Sequence, residues 1–366
     1  MTAAPSGPRP ATIRWIDWAR IVGILAVITI HVVSLTVLEF ADVDNATWLL
    51  ATVLFAASVW SVPLFVMLSG ALLLDPARPM DVGTFYRRRF TRVLIPLVAW
   101  SLIYWAWIVL VRGEERPPDA FFRSVLLARP YAHLHFLFII VGLYLITPFL
   151  RVFTDHASRR MIAGAAGVVL VIATLYRMLA FGDLTEAPTA FTHFVPYVGY
   201  FLAGLVLRDV VLDRRGMVVA GLVAALCVIA QVLATYGLWW IGDADHATVP
   251  EHYFSPLVIV LTLTVFLLFR SVLAEQPVEA RSGQEATVAR GGRAGLRSRV
   301  AAMTLGVYLV HPMILDLIRR QVDLDATVVG AVVLFPLTIA VAFLGSLVMV
   351  EILGRIPGLR RIVGVG

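Results

Sequence analysis

The chain has 366 residues, of which 60% are hydrophobic and 15% charged, with a mean hydropathy of +0.88. A soluble domain is nearer half apolar and a quarter charged, so the composition excludes a large soluble domain and predicts an all-α, polytopic membrane helix bundle. The net charge of +6 does not indicate nucleic acid, because the basic residues sit between apolar runs and form no continuous stripe. All 30 basic residues are arginine, which reads as codon bias rather than mechanism. The lone Cys227 excludes an intrachain disulfide or a cysteine metal cluster and reads as a small packing residue.

In chain order, residues 1–13 are polar and Pro-rich and are expected to form a disordered cytoplasmic tail. They lack an apolar core with a small-residue cleavage site, so the first helix is expected to be retained. Ten apolar runs are long enough to span a bilayer, at about 15–38, 48–74, 93–111, 134–150, 161–181, 191–207, 217–241, 254–274, 301–318 and 327–353. Pro63 lies inside the long second run, and no internal repeat stands out. The loop Arg112 to Arg129, with Pro117-Pro118 and Phe121-Phe122, is suited to lie along the interface. Residues 275–299 are Gly-, Arg- and Glu-rich without apolar periodicity and predict a flexible cytoplasmic loop. Residues 357–366 form a basic tail.

The connections alternate in charge. Allocated to alternate sides, 23 arginines fall with the two termini and seven on the other side, where Glu39, Asp42, Asp44, Asp183, Glu186, Asp243, Asp245 and Glu251 also lie. This bias, with about ten transmembrane helices, predicts both termini in the cytoplasm.

The first run carries Asp17, Arg20 and His31. Eleven residues at about 100° each leave Arg20 and His31 roughly 20° apart on one helix face, with a rise of about 16 Å between them. Arg20 at one membrane surface therefore places His31 near the midplane, and Asp17 can pair with Arg20 at i, i+3. His31 fits either a hydrogen bond between helices or a general base toward a hydroxyl, and the shared polar face favours the base. Arg20 fits a snorkelling arginine or an anchor for a phosphate-bearing ligand. The loop Phe85 to Arg92 holds four arginines that serve topology. Of these, Arg89 and Arg92 share a face at a helix start and could join Arg20 in a mouth for a polyphosphate. At Ser69-Gly70 packing is the favoured role, since no triad-like spacing surrounds Ser69. His133 and His135, two apart, point to different helix faces, which argues against a shared metal. His311, before Pro312, fits equally a polar group inside the bundle and a helix end near the outer surface.

These residues resemble the acyltransferase 3 family of bacterial integral-membrane O-acyltransferases, across nearly the whole chain. The family's Arg-x10-His pattern is met by Arg20 and His31, preceded by Asp17. Its PxFFxxSG stretch is similar to Pro63 through Gly70, and its Arg-x-x-Arg motif to Arg89 and Arg92 followed by Pro96. HLWFL…LYL…P is similar to His133–Leu137, Leu143–Leu145 and Pro148; YFLxG to Tyr200–Gly204; and YLxHP to Tyr308–Pro312. One departure is His135, where the family has tryptophan, which bears on the local pocket and on acceptor choice.

The resemblance implies a transmembrane acyltransferase domain over 14–356 in the bacterial inner membrane. It implies transfer of an acyl group, commonly acetyl from acetyl-CoA, to a hydroxyl of a carbohydrate or cell-surface glycan. The partners are then acyl-CoA, the glycan and the lipid bilayer, with no metal and no nucleic acid. His31 is implied as catalytic with Arg20 and Asp17, and Arg20, Arg89 and Arg92 as donor-binding. Ser69, His133, His135 and His311 are candidates for binding the acceptor. Direct transfer and an acyl-histidine relay both fit. A transporter or flippase of a lipid-linked or polyphosphate substrate, with His31 as proton relay, is the alternative, and a silent assembly partner a third. The sequence leaves the acceptor and the oligomeric state open.

Overall fold

Away from water a backbone amide can bond only within the protein, so each apolar run closes on itself as a helix. The computed structural model describes residues 13–38, 45–179, 189–243, 246–273, 286–321 and 328–364, which hold helices and no strand. The helices are α1 (Ile13–Leu38), α2 (Ala46–Ala56), α3 (Ser61–Leu73), α4 (Val82–Ala106), α5 (Pro118–Leu126), α6 (His135–His156) and α7 (Arg159–Leu179). There follow α8 (Val198–Leu207), α9 (Arg214–Trp240), α10 (Pro256–Val272), α11 (Ala286–Arg319), α12 (Val328–Arg355) and the short α13 (Leu359–Ile362). Eight spans are long and apolar enough to cross a membrane, and two shorter apolar helices, Val195–Leu207 and Pro256–Val272, complete the ten runs. The chain is a multi-pass membrane helix bundle.

The second run is two helices, α2 and α3. Pro63 has no amide hydrogen to give and suits the first turn of a new helix, and at the break the Trp60 indole donates to the Ala57 carbonyl at 2.6 Å. The arginine-rich stretch 85–92, expected as a loop, belongs to α4, because Asp81 caps that helix by accepting from the Thr84 amide at 2.8 Å. Hydrogen bonds from the Thr84 side chain and amide hold the Asp81 carboxyl below the usual carboxylate range. α5 exposes Phe122 and Leu126, in keeping with an interfacial helix.

The bundle sorts its helices by what surrounds them. Exposed apolar residues line α7, α9 and α12, such as Val171 and Leu175, Leu226 and Leu233, and Leu337 and Leu344, as lipid-facing helices require. α1 runs through the interior against α2, α3, α10, α11 and α12. The tightest approach is between α3 and α8: a Cβ at Gly70 would lie 1.8 Å from the Phe201 carbonyl oxygen, and one at Gly204 2.0 Å from that of Met67. Only glycine permits this backbone-to-backbone packing.

Two expectations change. Residues 286–299, expected as flexible loop, are helical and extend α11, whose Arg297 and Arg299 are held by Asp17 and Glu351. The basic tail turns at Gly358, where φ is +92°, and packs back on the bundle. The Trp100 indole of α4 donates to the Ile362 carbonyl at 2.8 Å, and Val363 is fully buried. The expected tail at 1–12, the first part of the 275–299 loop, and the acids Glu39, Asp42, Asp44, Asp183, Glu186 and Asp245 lie outside the described residues.

Candidate active site

Two helices and the turn before a third bring three histidines together. The His31 ring on α1 lies 5.2 Å from that of His311 on α11 and 6.3 Å from that of His133, just before α6. His133 and His311 are 5.7 Å apart. Both are buried, and both nitrogens of His133 and Nε2 of His311 have no hydrogen-bond partner. His311 Nδ1 faces the Val307 carbonyl at 3.1 Å. A carbonyl can only accept, so Nδ1 carries the hydrogen and a neutral His311 presents the lone pair of Nε2. Of the two sequence readings of His311, the structure selects the polar group inside the bundle. Among the described residues no group of three or more His, Cys, Asp or Glu side chains is arranged to hold a metal.

The arginines converge elsewhere. Arg20 of α1 and Arg89 and Arg92 of α4 line one cavity of about 170 Å³, with Ser69, Phe136, Tyr144 and Tyr308. The Arg89 guanidinium lies 5.9 Å from the centre of the Tyr144 ring, within cation–π range. Arg89 and Arg92 also line a basin of about 910 Å³, which Arg78, Arg88, Arg151, Arg360 and Arg361 share. That makes seven arginines around the basin against one carboxylate, Asp81. A neighbourhood of this kind attracts polyanions and suits phosphate oxygens in particular.

Not all these charges are free. Arg151 donates to the carbonyls of Leu73 and Arg78 at 3.3 and 3.0 Å and to that of Asp75, clamping the α3–α4 turn. Asp75 pairs with Arg78 and Arg208 at 3.3 and 2.9 Å.

Tyr308 joins cavity and histidines. It lines the narrow cavity, its hydroxyl donates to the His133 carbonyl, and its ring is 5.2 Å from His133 and 5.9 Å from His311. His31 itself lines neither cavity. Tyr308 lies in the YLxHP-like stretch, but nothing in the sequence marks it as a junction.

The expected Asp17–Arg20 pair is replaced by a longer-range one. Asp17 is buried and its carboxylate takes Arg297 Nε at 3.2 Å, leaving Arg20 to the cavity. The i, i+3 spacing permits the local pair, but α11 carries its own arginine against α1. Removing one partner of a buried pair leaves an uncompensated charge, at about 3 kcal/mol. Asp17→Asn and Arg297→Gln should each lower the melting temperature of the detergent-solubilised protein, and the double variant should lose less than the sum. Strict additivity would rule out the coupling.

Ser69 lines the narrow cavity, but its hydroxyl donates to the Phe65 carbonyl at 2.9 Å, as a packing serine does. The His135 Nδ1 faces the Ala132 carbonyl at 2.8 Å, and its ring lies 5.7 Å from that of His193. Sequence reasoning missed Arg319, whose guanidinium donates to the backbone carbonyls of His31 and Val32. The available signal was its place on the arginine-poor side.

His135 begins α6, at the end of that helix away from Arg151 and the basin. There His193 has both ring nitrogens unpartnered, and burial with nearby Arg177 and His193 pushes the His252 imidazole down to about 4. Burial also pushes the Glu251 carboxyl up to about 8, so it is the neutral acid at neutral pH.

Comparison with known proteins supports one assignment. Neither the curated proteins nor the solved structures compared with the chain gave a match. A family model described as an acyltransferase domain, that of acyltransferase 3, matches residues 13–350. The match covers α1 through most of α12 and with them the three histidines, Arg20, Arg89 and Arg92. With nearly the whole chain inside that match and its helices forming a multi-pass bundle, this protein belongs to the acyltransferase 3 family of membrane acyltransferases.

Proposed function

We propose that the protein is a membrane O-acetyltransferase of the bacterial inner membrane, taking its acyl group from acetyl-CoA and giving it to a hydroxyl of a cell-surface glycan or similar carbohydrate. The observation that carries this reading is the convergence of Arg20, Arg89 and Arg92 on one cavity that Tyr308 also lines, with the Tyr308 ring beside His133 and His311. The basin suits the phosphates of coenzyme A, and the narrower cavity suits its thin pantetheine arm. The excess of arginine at that end supports a cytoplasmic orientation for it and for both termini. The acceptor approaches from the opposite end, by His135 and His193.

In this reading neutral His31 accepts the proton of the acceptor hydroxyl as its oxygen attacks the thioester carbonyl carbon. The carbon–sulfur bond breaks, and the proton passes from the imidazolium to the departing thiolate. His311 and His133 lie with their rings near that of His31 and position the reactants, and Arg319 holds the backbone at His31. The dry interior raises the worth of each polar contact.

The test is transfer of labelled acetyl from acetyl-CoA to surface glycan in membranes containing the protein. Wild type should form an acetyl ester on the glycan. Arg89→Ala with Arg92→Ala should raise the KM for acetyl-CoA by about tenfold or more, as expected when charge-assisted phosphate contacts are lost. Substrate crossing the membrane without consumption of acetyl-CoA would sink the proposal in favour of transport.

A further inference from the structure

The segment after α12 lies outside the residues matched by the family model, yet it forms part of the arginine basin. Gly358 and Gly364, with φ of +92° and +68°, bracket a short strap that runs back across α4 and α11. Its anchors are apolar and backbone groups. Trp100 holds the Ile362 carbonyl, Val363 is buried, and the Val363 carbonyl oxygen lies so close to Gly306 that a Cβ there would stand 3.0 Å away. Arg360 and Arg361, by contrast, are exposed and line the basin.

We infer that this strap supplies a subsite for the 3′-phosphate of the donor's adenosine, with Arg360 and Arg361 as its ligands. The inference rests on the coenzyme A reading above and goes beyond it in assigning the two ends of the nucleotide. Arg89 and Arg92 line both cavities and so mark the junction between them. The narrow cavity, about 170 Å³, is smaller than ordinary ligand pockets and admits a chain, whereas about 910 Å³ is ample for a nucleotide. A pantetheine arm in the first and adenosine in the second put the pyrophosphate at Arg89 and Arg92, and leave the 3′-phosphate to the basin.

Of the remaining basin arginines, Arg78 is paired with Asp75 and Arg151 is committed to backbone carbonyls. Among the described residues no carboxylate lies within ion-pair distance of Arg88, Arg360 or Arg361. Adjacent Arg360 and Arg361, on a strap whose fold does not depend on their side chains, are placed to take a dianion.

The experiment measures equilibrium binding of coenzyme A and of 3′-dephospho-coenzyme A to the full chain in neutral phosphatidylcholine nanodiscs, which removes anionic headgroups as competitors. Wild type should bind coenzyme A about tenfold more tightly than the dephospho form. In Arg360→Gln/Arg361→Gln that ratio should fall to near one, because both ligands are read on the same folded protein. Trp100→Phe, which retains both arginines but frees the strap from α4, should lower the ratio part of the way. A ratio kept by the double variant, or no discrimination by wild type, overturns the inference while leaving the donor reading standing. Failure of both ligands to bind wild type overturns the donor reading and the inference with it.

Discussion

His31→Gln is expected to reduce acetyl transfer from acetyl-CoA by about 100-fold or more, the range over which a positioned acid–base group contributes. Glutamine keeps much of the volume and hydrogen-bonding capacity of the ring, so the bundle around α1 should remain intact, whereas alanine would also open a hole beside His311 and His133. The measurement is kcat for labelled acetyl transfer, alongside gel filtration of the solubilised protein to establish that it folds. His311→Gln is the informative partner, because Nε2 of His311 is unpartnered and 5.2 Å separates its ring from that of His31. A His31→Gln protein with more than a tenth of wild-type kcat would remove His31 from the chemistry. If His311→Gln is then the inactive variant, the base is His311.

The second large effect is on folding. Gly70→Ala should cost about 3 kcal/mol or more, at the upper end for overpacking, and should sharply reduce the yield of folded protein. The new Cβ would meet the carbonyl oxygen, carbonyl carbon and Cα of Phe201 at 1.8, 2.7 and 3.0 Å. These are backbone atoms of α8 and cannot rotate away, so α3 and α8 must separate along their whole contact. Gly204→Ala repeats the experiment from the other side, against the Met67 carbonyl at 2.0 Å. Gly167→Ala on α7 is the control. A Cβ there meets nothing within 4 Å, and alanine is the better helix former by about 0.5–1 kcal/mol. Thermal unfolding in detergent should order the variants with Gly167→Ala at or above wild type and the α3–α8 variants far below. A Gly70→Ala protein that melts with wild type would mean that the two helices are not closely packed.

Local chemistry made much of this protein readable from its sequence. Hydropathy located the ten apolar runs, because a span must be apolar over its full length and the lipid has no other way to accept it. Helical periodicity put Arg89 and Arg92 on one face, and the structure has both lining one cavity. The Ser69-Gly70 step was legible as packing, since glycine in a spanning helix signals close approach. The basic stretch 85–92 was misread only in its conformation: its positive charge is plain in the sequence, whereas its helix depends on the Asp81 cap.

What the tertiary structure alone decided lies between helices distant in sequence. Asp17 meets Arg297 across 280 positions, Arg319 meets the His31 carbonyl across 288, and Trp100 meets Ile362 across 262. Periodicity and charge reveal which face of a helix is polar but carry no information on which other helix turns its face toward it. Asp17 therefore looked like the partner of Arg20, three residues on, until α11 was seen to bring a closer arginine. By itself the sequence determined a membrane bundle with arginines at one end and a histidine on their face. Only the packing of α1 against α11, with the turn before α6 brought up to both, decided that this histidine has two others beside it, because burial of facing surfaces, not any local propensity, selects which helices meet.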